Sequence, residues 1–278
     1  MIPSGWPLRR DATNSQALPS QGIPRSSRHE VVELCACCRS FHRPSNGDVA
    51  RACRIGVVQR LFGPQAEPAT TNIGAAKGGS ILPVRALRAY SLDLQDPAAI
   101  ASLVPRVGEE CGIDILINNA GIGVVAPAEK QSVEEWDRAQ AINLRAPWLM
   151  AVAALPYLKA SGRGRVINIA SQAGVVAIAE HAAYGASKAG LISLTKVLAI
   201  EWAQYGVTVN AISPTIVETP MAMVGWSGEK GEKARKEIPV GRFAQPSEIA
   251  AAAIDLASKE AAIITGENLI MDGGYTIR

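Results

Sequence analysis

The chain has 278 residues, of which 48% are hydrophobic and 19% charged, and its formal net charge is +3. This length and composition are typical of a globular protein that can bury a sizeable core. The net charge is too small to indicate nucleic acid as a partner, and no apolar run reaches the ~18 residues that a membrane span needs. We therefore expect no nucleic-acid or membrane partner, and a cytoplasmic location.

Composition divides the chain near residue 85. Residues 1–85 contain eleven Lys and Arg against five Asp and Glu, a local charge of +6, whereas residues 86–278 carry −3. The first segment also holds four of the five Cys and eight of the seventeen Pro. Its first 28 residues are rich in Pro, Ser and Arg, a composition typical of disorder. We predict an anomalous segment at 1–85 and a catalytic domain at 86–278.

Predicted strands and helices alternate along most of the chain. Two weak strand patterns lie at 30–34 and 55–58, and a regular pattern begins at residue 87. Strands are predicted at 87–94, 113–117, 165–170, 207–212 and 268–272. Helices are predicted at 96–107, after the capping box S-V-E-E at 132–135, in the segment around Tyr184, and at 246–257. This alternation predicts an α/β fold with a doubly wound, mostly parallel, Rossmann-like sheet covered by helices on both faces.

Small or polar residues follow the predicted strands. They are Asp93, the run N-N-A-G at 118–121, Ser171 and Ser213. In sheets of this kind, ligands bind beyond the carboxyl ends of the strands. The sequence therefore predicts a ligand site among these residues.

Tyr184 and Lys188 are four residues apart, so both side chains project from one helix face. An ammonium group beside a phenol lowers the pKa of the phenol, and a tyrosine altered in this way can act as a general acid or base. Ser171 lies at the end of the neighbouring strand, where its hydroxyl could hold a carbonyl or alcohol. Asn143 falls in a buried helix, where an amide must be hydrogen-bonded. The spacing alone is also compatible with a chance pairing of Tyr184 and Lys188.

Six motifs in this order resemble the short-chain dehydrogenase/reductase family. They are N-N-A-G at 118–121, Asn143, Ser171, Y-x-x-x-K at 184–188, N-A-I-S-P at 210–214 and D-G-G at 272–274. The resemblance covers about residues 86–278. It implies an NAD- or NADP-dependent oxidoreductase that interconverts a secondary alcohol and a ketone, and a homotetramer.

The resemblance also implies a role for each matching residue. Tyr184 would exchange a proton with the substrate oxygen, and Lys188 would lower its pKa and bind the nicotinamide ribose. Ser171 would orient the substrate oxygen, and Asn143 would fix a water that links Lys188 to solvent. The residues expected to contact the cofactor are Asp93, Leu94, Asn119, Ala120, Gly121, Tyr184, Lys188, Pro214, Val217 and Thr219.

The sequence departs from the family pattern at two places. Pro214-Thr215 stands where the family usually has Pro-Gly, and in this it is similar to some sugar and polyol members of the family, a resemblance that implies a polyol or ketose substrate. The family's glycine loop, T-G-x-x-x-G-[I/L]-G, belongs near residue 45, but only Gly47 is present between residues 38 and 50. The look-alike N-I-G-A-A-K-G-G at 72–79 lies too close to Asp93 to leave room for the first helix and second strand. We therefore expect the first βαβ unit to be abnormal or missing.

Two interpretations of residues 1–85 follow, a divergent segment or a stretch translated out of frame from a GC-rich gene. The run C-A-C-C at 35–38 lacks a second spaced pair, so no metal site is expected. Two functions remain open. The first is an active oxidoreductase, and the second is a catalytically silent relative that acts as a binding or scaffold protein because the cofactor loop is lost.

Overall fold

A computed structural model describes residues 31–38, 54–62 and 90–278. The segment near residue 45 and the glycine-containing run at 72–79 lie outside the described residues. In chain order the strands are β1 (Val31–Cys38), β2 (Arg54–Phe62), β3 (Ile115–Asn118), β4 (Arg165–Ile169), β5 (Thr208–Pro214) and β6 (Asn268–Met271). The two weak strand patterns of the N-terminal segment thus correspond to β1 and β2.

The described strands form one sheet in the order β1-β2-β3-β4-β5-β6. From β2 to β6 each strand runs parallel to its neighbour. The strand pair β1–β2 is antiparallel. A βαβ unit joins two parallel strands, so β1 and β2 do not form one. The mostly parallel sheet and its abnormal first unit are both as expected.

Helices cover both faces of this sheet. They are α1 (Pro97–Cys111), α2 (Val133–Gln140), α3 (Ala146–Ser161), α4 (Ala182–Trp202), α5 (Pro220–Gly225), α6 (Gly228–Glu237) and α7 (Pro246–Ala257). Val166 packs in the same apolar cluster as residues of α1, α3 and α4. Its neighbour Ile167 packs in a second cluster with residues of α7. Because successive strand residues point to opposite faces, the sheet is doubly wound as predicted.

Local capping signals explain where several helices begin. The Asp96 carboxylate accepts hydrogen bonds from the first turn of α1, which has Pro97 at its first position. At α2, the Ser132 hydroxyl and the Glu135 carboxylate form the predicted capping box. The helix predicted at 246–257 is found as α7, and a Gln245–Glu248 box that was not predicted caps it.

The strand predicted at 87–94 is wrong over the residues that the structure describes. Residues 90–93 have no regular structure and a turn follows them. The Asp93 carboxylate accepts a hydrogen bond from the Gln95 N–H at 2.8 Å, which closes this turn. Leu92 and Leu94 are nevertheless buried in the core. The apolar alternation at the end of the predicted strand thus corresponds to the burial of these two leucines and not to strand pairing. Residues 87–89 lie outside the described part of the chain.

Candidate active site

Ser171 and Tyr184 meet at the carboxyl end of β4. Ser171 lies two residues beyond the strand and begins a 3₁₀ helix (Gln172–Gly174), whose Ala173 N–H donates to its hydroxyl at 3.2 Å. Tyr184 lies in the first turn of α4 and is half-buried. The Ser171 side chain lies close enough to the Tyr184 hydroxyl to lower its pKa. The structure therefore brings together the two residues that were expected to hold a substrate oxygen.

Two glycines allow this close approach, and the sequence analysis missed both. A Cβ atom on Gly174 would lie 2.7 Å from the carbonyl carbon of Lys188, and one on Gly185 would lie 3.0 Å from the carbonyl oxygen of Ala173. The contact at Gly174 is too short for a side chain, and the contact at Gly185 is tight enough that the neighbouring backbone would have to shift. The absence of a side chain at Gly174 therefore lets the 3₁₀ helix lie directly against α4, and Gly185 favours the same approach.

Lys188 is buried beside Tyr184. Only 4% of its surface is exposed, and its ammonium donates to the Ile169 carbonyl at 2.7 Å. The Lys188 Nζ atom lies 5.8 Å from the centre of the Tyr184 ring. Burial lowers the pKa of Lys188 to about 8, because the low-dielectric surroundings disfavour the charged form.

The direction of the Tyr184 pKa shift differs from the sequence-based expectation. Burial raises the pKa of Tyr184 above its ordinary value, and the nearby Ser171 side chain opposes that shift with a smaller effect. The expected lowering by Lys188 is therefore wrong for the structure described. The physical reason is that the cost of burying a phenolate outweighs the other effects on this hydroxyl.

Asn143 lies in a π-helical turn (Ala141–Arg145) between α2 and α3, a local irregularity that is frequent at functional sites. The residue is fully buried. Its side-chain oxygen accepts from the Ile122 N–H at 2.9 Å, and its NH₂ group donates to the Ile122 carbonyl at 2.9 Å and to the Ser187 hydroxyl at 3.0 Å. The amide thus holds the loop after β3, and its expected role in fixing a water that links Lys188 to solvent stays a prediction.

That loop passes close to Lys188. A Cβ atom on Gly121 would lie 3.3 Å from both the Lys188 Nζ and the Asn143 side-chain oxygen. Ala120 is buried, and Asn119 is exposed. The structure therefore gathers Gly121, Asn143 and Lys188 at one place, next to the Ser171–Tyr184 pair.

The other residues expected to contact the cofactor lie at strand ends or in the segments that follow. The Asp93 carboxylate is engaged in its own turn, and the Leu94 side chain is in the core, so Leu94 can offer only backbone atoms to a ligand. Pro214 is the last residue of β5, and Val217 forms a short parallel bridge with Ala244. The Thr219 hydroxyl caps α5 by accepting from the Ala222 N–H. The cofactor contacts of these residues stay predictions.

Comparison with known proteins identifies the family. A family model described as enoyl-(acyl carrier protein) reductase matches residues 56–276. The D-threitol dehydrogenase of Mycolicibacterium smegmatis is 44% identical over 229 residues, which are 82% of this chain and 85% of that protein. The NAD-dependent glycerol dehydrogenase of Listeria innocua is 49% identical over 166 residues, which are 60% of this chain and 65% of that protein.

A solved structure agrees with this assignment. The crystal structure of a gluconate 5-dehydrogenase from Burkholderia cenocepacia, in complex with NADP and tartrate, superimposes with a TM-score of 0.64 at 32% identity. The match covers 67% of this chain and 74% of the other. The sequence motifs, the doubly wound sheet and these matches agree, and the chain belongs to the short-chain dehydrogenase/reductase family of NAD(P)-dependent oxidoreductases.

Proposed function

We propose that this chain interconverts a secondary alcohol and a ketone, with a polyol or sugar as substrate, through Ser171, Tyr184, Lys188 and Asn143. The observation that carries the proposal is the placement of Ser171 and Tyr184 together at the carboxyl end of β4, beside the buried Lys188. Threitol, glycerol and gluconate dehydrogenases among the similar proteins support a polyhydroxylated substrate. Thr215, which stands in place of the family's usual glycine, also supports a polyol or sugar substrate.

The residues around Lys188 fit the nicotinamide-ribose end of NAD or NADP. An ammonium group has three donors, and the Ile169 carbonyl takes one of them. The remaining donors suit the hydroxyl groups of a ribose. Gly121 keeps the adjoining loop free of a side chain that would crowd the Lys188 Nζ. When bound, the cofactor would supply or accept the hydride.

Proton transfer is assigned to Tyr184. Because the pKa of Tyr184 is raised, its hydroxyl is protonated at neutral pH and can donate to the oxygen of a ketone as that oxygen gains negative charge. The Ser171 hydroxyl would hold the same oxygen in place. In the reverse direction Tyr184 must first lose its proton, so alcohol oxidation is expected to be faster at alkaline pH.

A catalytically silent relative that acts as a binding or scaffold protein is the second candidate. It is favoured by the absence of the family's glycine loop near residue 45, since backbone N–H groups of such a loop bind the pyrophosphate. The family match begins at residue 56, within the segment of anomalous composition. We infer that residues 1–85 are either a divergent segment or an out-of-frame translation, and that residues 86–278 form the catalytic domain.

Two chains distinguish these candidates. Calorimetry on the 278-residue chain with NADH and NADPH is expected to show binding weaker than micromolar. The coding DNA, read in another frame upstream of Leu87, is expected to encode T-G-x-x-x-G-[I/L]-G, and a chain carrying that segment should reduce ketones or oxidise polyols, as followed by nicotinamide absorbance. A restored chain that binds cofactor without turning over any of a panel of polyols and ketones would favour the silent relative. Micromolar binding by the unaltered chain would refute the argument from the glycine loop.

We also infer that the chain forms a homo-oligomer, a tetramer by family resemblance. Large apolar side chains are exposed on the neighbouring helices α3 and α4, namely Trp148, Val152, Val197 and Ile200. Light scattering during gel filtration tests this inference. Among the described residues, no helix is long and apolar enough to cross a membrane. A cytoplasmic location stays a prediction.

A further inference from the structure

Ser187 links two parts of the proposed active site through hydrogen bonds. It lies on α4 between Tyr184 and Lys188 and is fully buried. Its hydroxyl donates to the Tyr184 carbonyl at 2.7 Å and accepts from the Asn143 NH₂ group at 3.0 Å. Both hydrogen-bonding functions of the hydroxyl are therefore used, one within the helix and one towards the π-helical turn.

Asn143 transmits this link to the loop after β3. Its planar amide binds both the N–H and the carbonyl of Ile122 at 2.9 Å, so the orientation of the amide fixes the orientation of that peptide segment. Gly121 precedes Ile122 and lies next to the Lys188 Nζ. A continuous series of hydrogen bonds thus joins the loop beside Lys188 to the helix that carries Lys188.

The same helix contains a second link of the same chemistry. Eight residues later, the Thr195 hydroxyl accepts from the Asn168 NH₂ group at 2.9 Å and donates to the Leu191 carbonyl at 2.8 Å. Asn168 in turn accepts from the Asn118 NH₂ group at 2.8 Å. Thr195 is buried to the same degree as Ser187, with 1% of its surface exposed. This second link ties β3 and β4 to α4 without contacting Tyr184, Lys188 or the loop at Gly121.

We propose that Ser187 is a positioning residue, whose hydroxyl orients the Asn143 amide and thereby holds the loop at Gly121 and Ile122 against Lys188. The proposal rests on the function assigned above to Lys188 and Tyr184. Thr195 supplies the matched control, because it loses an equivalent buried hydrogen bond when its hydroxyl is removed. A purely structural role predicts equal consequences at the two positions.

The first measurement is hydrogen exchange of the Ile122 amide by NMR, in the full chain without ligand. Ser187→Ala leaves the Asn143 amide without its bond to α4. The Ile122 amide should therefore exchange about tenfold faster in Ser187→Ala than in Thr195→Val. Coupling energies between contacting residues correspond to rate ratios of roughly 2- to 100-fold, and the expected ratio lies within that range. The exchange rates of the two variants are compared at equal free energies of unfolding, so that global unfolding contributes equally to both rates. In an Asn143→Ala background, Ser187→Ala should add nothing, since the hydroxyl acts through that amide.

The second measurement is the NMR titration of the Lys188 side chain. A loosened loop admits water to the ammonium, so the pKa of Lys188 should rise from about 8 towards its ordinary value in Ser187→Ala but not in Thr195→Val. If Ser187→Ala does not fold, Ser187→Cys is measured in the same way, because a thiol fills the site but bonds weakly. Equal exchange and equal titration in the Ser187 and Thr195 variants would overturn the proposal. Failure of the proposed function has a different signature, namely undiminished turnover in Tyr184→Phe in a chain that binds cofactor, and that outcome does not bear on the comparison of the Ser187 and Thr195 variants.

Discussion

The two ends of the parallel sheet use their polar groups differently. At the amino end, the Asp114 carboxylate pairs with Arg163 at 2.8 Å, and the Asp114 carbonyl accepts from the Arg165 N–H at 2.9 Å. At the carboxyl end, Lys188 and Tyr184 are held where burial disfavours the charged form of each. Functional sites commonly keep such unfavourable groups at a cost in stability. The contrast predicts that substitutions of Tyr184 and Lys188 lose activity while keeping or gaining stability.

The largest expected effect is on turnover in Tyr184→Phe. The substitution removes only the hydroxyl that exchanges the proton, and general acid–base catalysis is typically worth ~10²–10⁴-fold. Turnover should fall by about that factor in a chain that binds cofactor, while the free energy of unfolding stays within about 1 kcal/mol of the parent. Steady-state kinetics and urea unfolding provide the two measurements. Activity within tenfold of the parent would exclude Tyr184 as the acid or base.

Next in size is the effect of Lys188→Met on stability. The folded chain holds Lys188 with a pKa of about 8, below its ordinary value, so the unfolded chain binds more protons between about pH 8 and pH 10.5. The stability of the parent should therefore rise with pH across this window, and below it the buried charge carries its full cost. Methionine fills the same space without a charge. Lys188→Met should be more stable than the parent at pH 7 by up to about 3 kcal/mol.

Urea unfolding of the parent and of Lys188→Met, at pH 7 and at pH 10, separates the effect of the Lys188 charge on stability from other effects of the substitution. The Ile169 carbonyl loses its donor at both pH values, so that loss cancels when the two are compared. The advantage of Lys188→Met should shrink markedly at pH 10. An advantage that is absent at pH 7, or equal at both pH values, would mean that burial of the ammonium does not destabilise the fold.

How far the sequence predicts this molecule depends on whether a feature is local. The strand predicted at 113–117 is found at Ile115–Asn118, and the helix predicted at 96–107 at Pro97–Cys111. Both have strong local signals, an apolar run and an Asp-Pro start. Ser171, Tyr184 and Lys188 were also identified from their motifs, and the structure places them together.

Other features depend on contacts that the sequence does not display. The π-helical turn at Asn143 lies within a continuous helical pattern, and the Asn143 amide bonds to Ile122, which is 21 residues away in the sequence. The sequence shows a glycine at 174 but not that the backbone of α4 lies 2.7 Å from its absent Cβ. The direction of the Tyr184 pKa shift was missed for the same reason, because spacing indicates a nearby ammonium but not the degree of burial.

A smaller effect is expected from Gly174→Ala, which tests the packing at the carboxyl end. The new methyl group would press on the Lys188 backbone, and overpacking of this kind typically costs about 1–3 kcal/mol. The 3₁₀ helix must move away from α4, so Ser171 should separate from Tyr184 and turnover should fall. Gly225→Ala is the control, because a Cβ atom there meets nothing within 4 Å. Thermal unfolding and kinetics that are the same for both variants would show that the close approach has no functional role.

The smallest expected effect compares the two ends of a single strand. Thr208 begins β5 and Thr215 follows its end, and among the described residues neither buried hydroxyl has a hydrogen-bond partner. Valine has nearly the same shape and no hydroxyl, so each Thr→Val change should stabilise the free chain, by at most about 1 kcal/mol. A buried hydroxyl without a partner at the amino end has no ligand to meet. At the carboxyl end it can accept or donate to a bound polyol.

The two variants should therefore differ in substrate binding, although their free energies of unfolding without ligand should be similar. In a chain that binds cofactor, Thr208→Val should leave the KM for a polyol unchanged. Thr215→Val should raise that KM about tenfold, the loss that one hydrogen bond of roughly 1.4 kcal/mol produces. The turnover number should change little in either variant, since neither hydroxyl touches the reacting carbon in this assignment. A parental KM in Thr215→Val would show that its hydroxyl does not bind the substrate. Equal increases in both variants would point to a general change in β5, because only one of the two threonines lies at the end of the sheet where the ligand is expected.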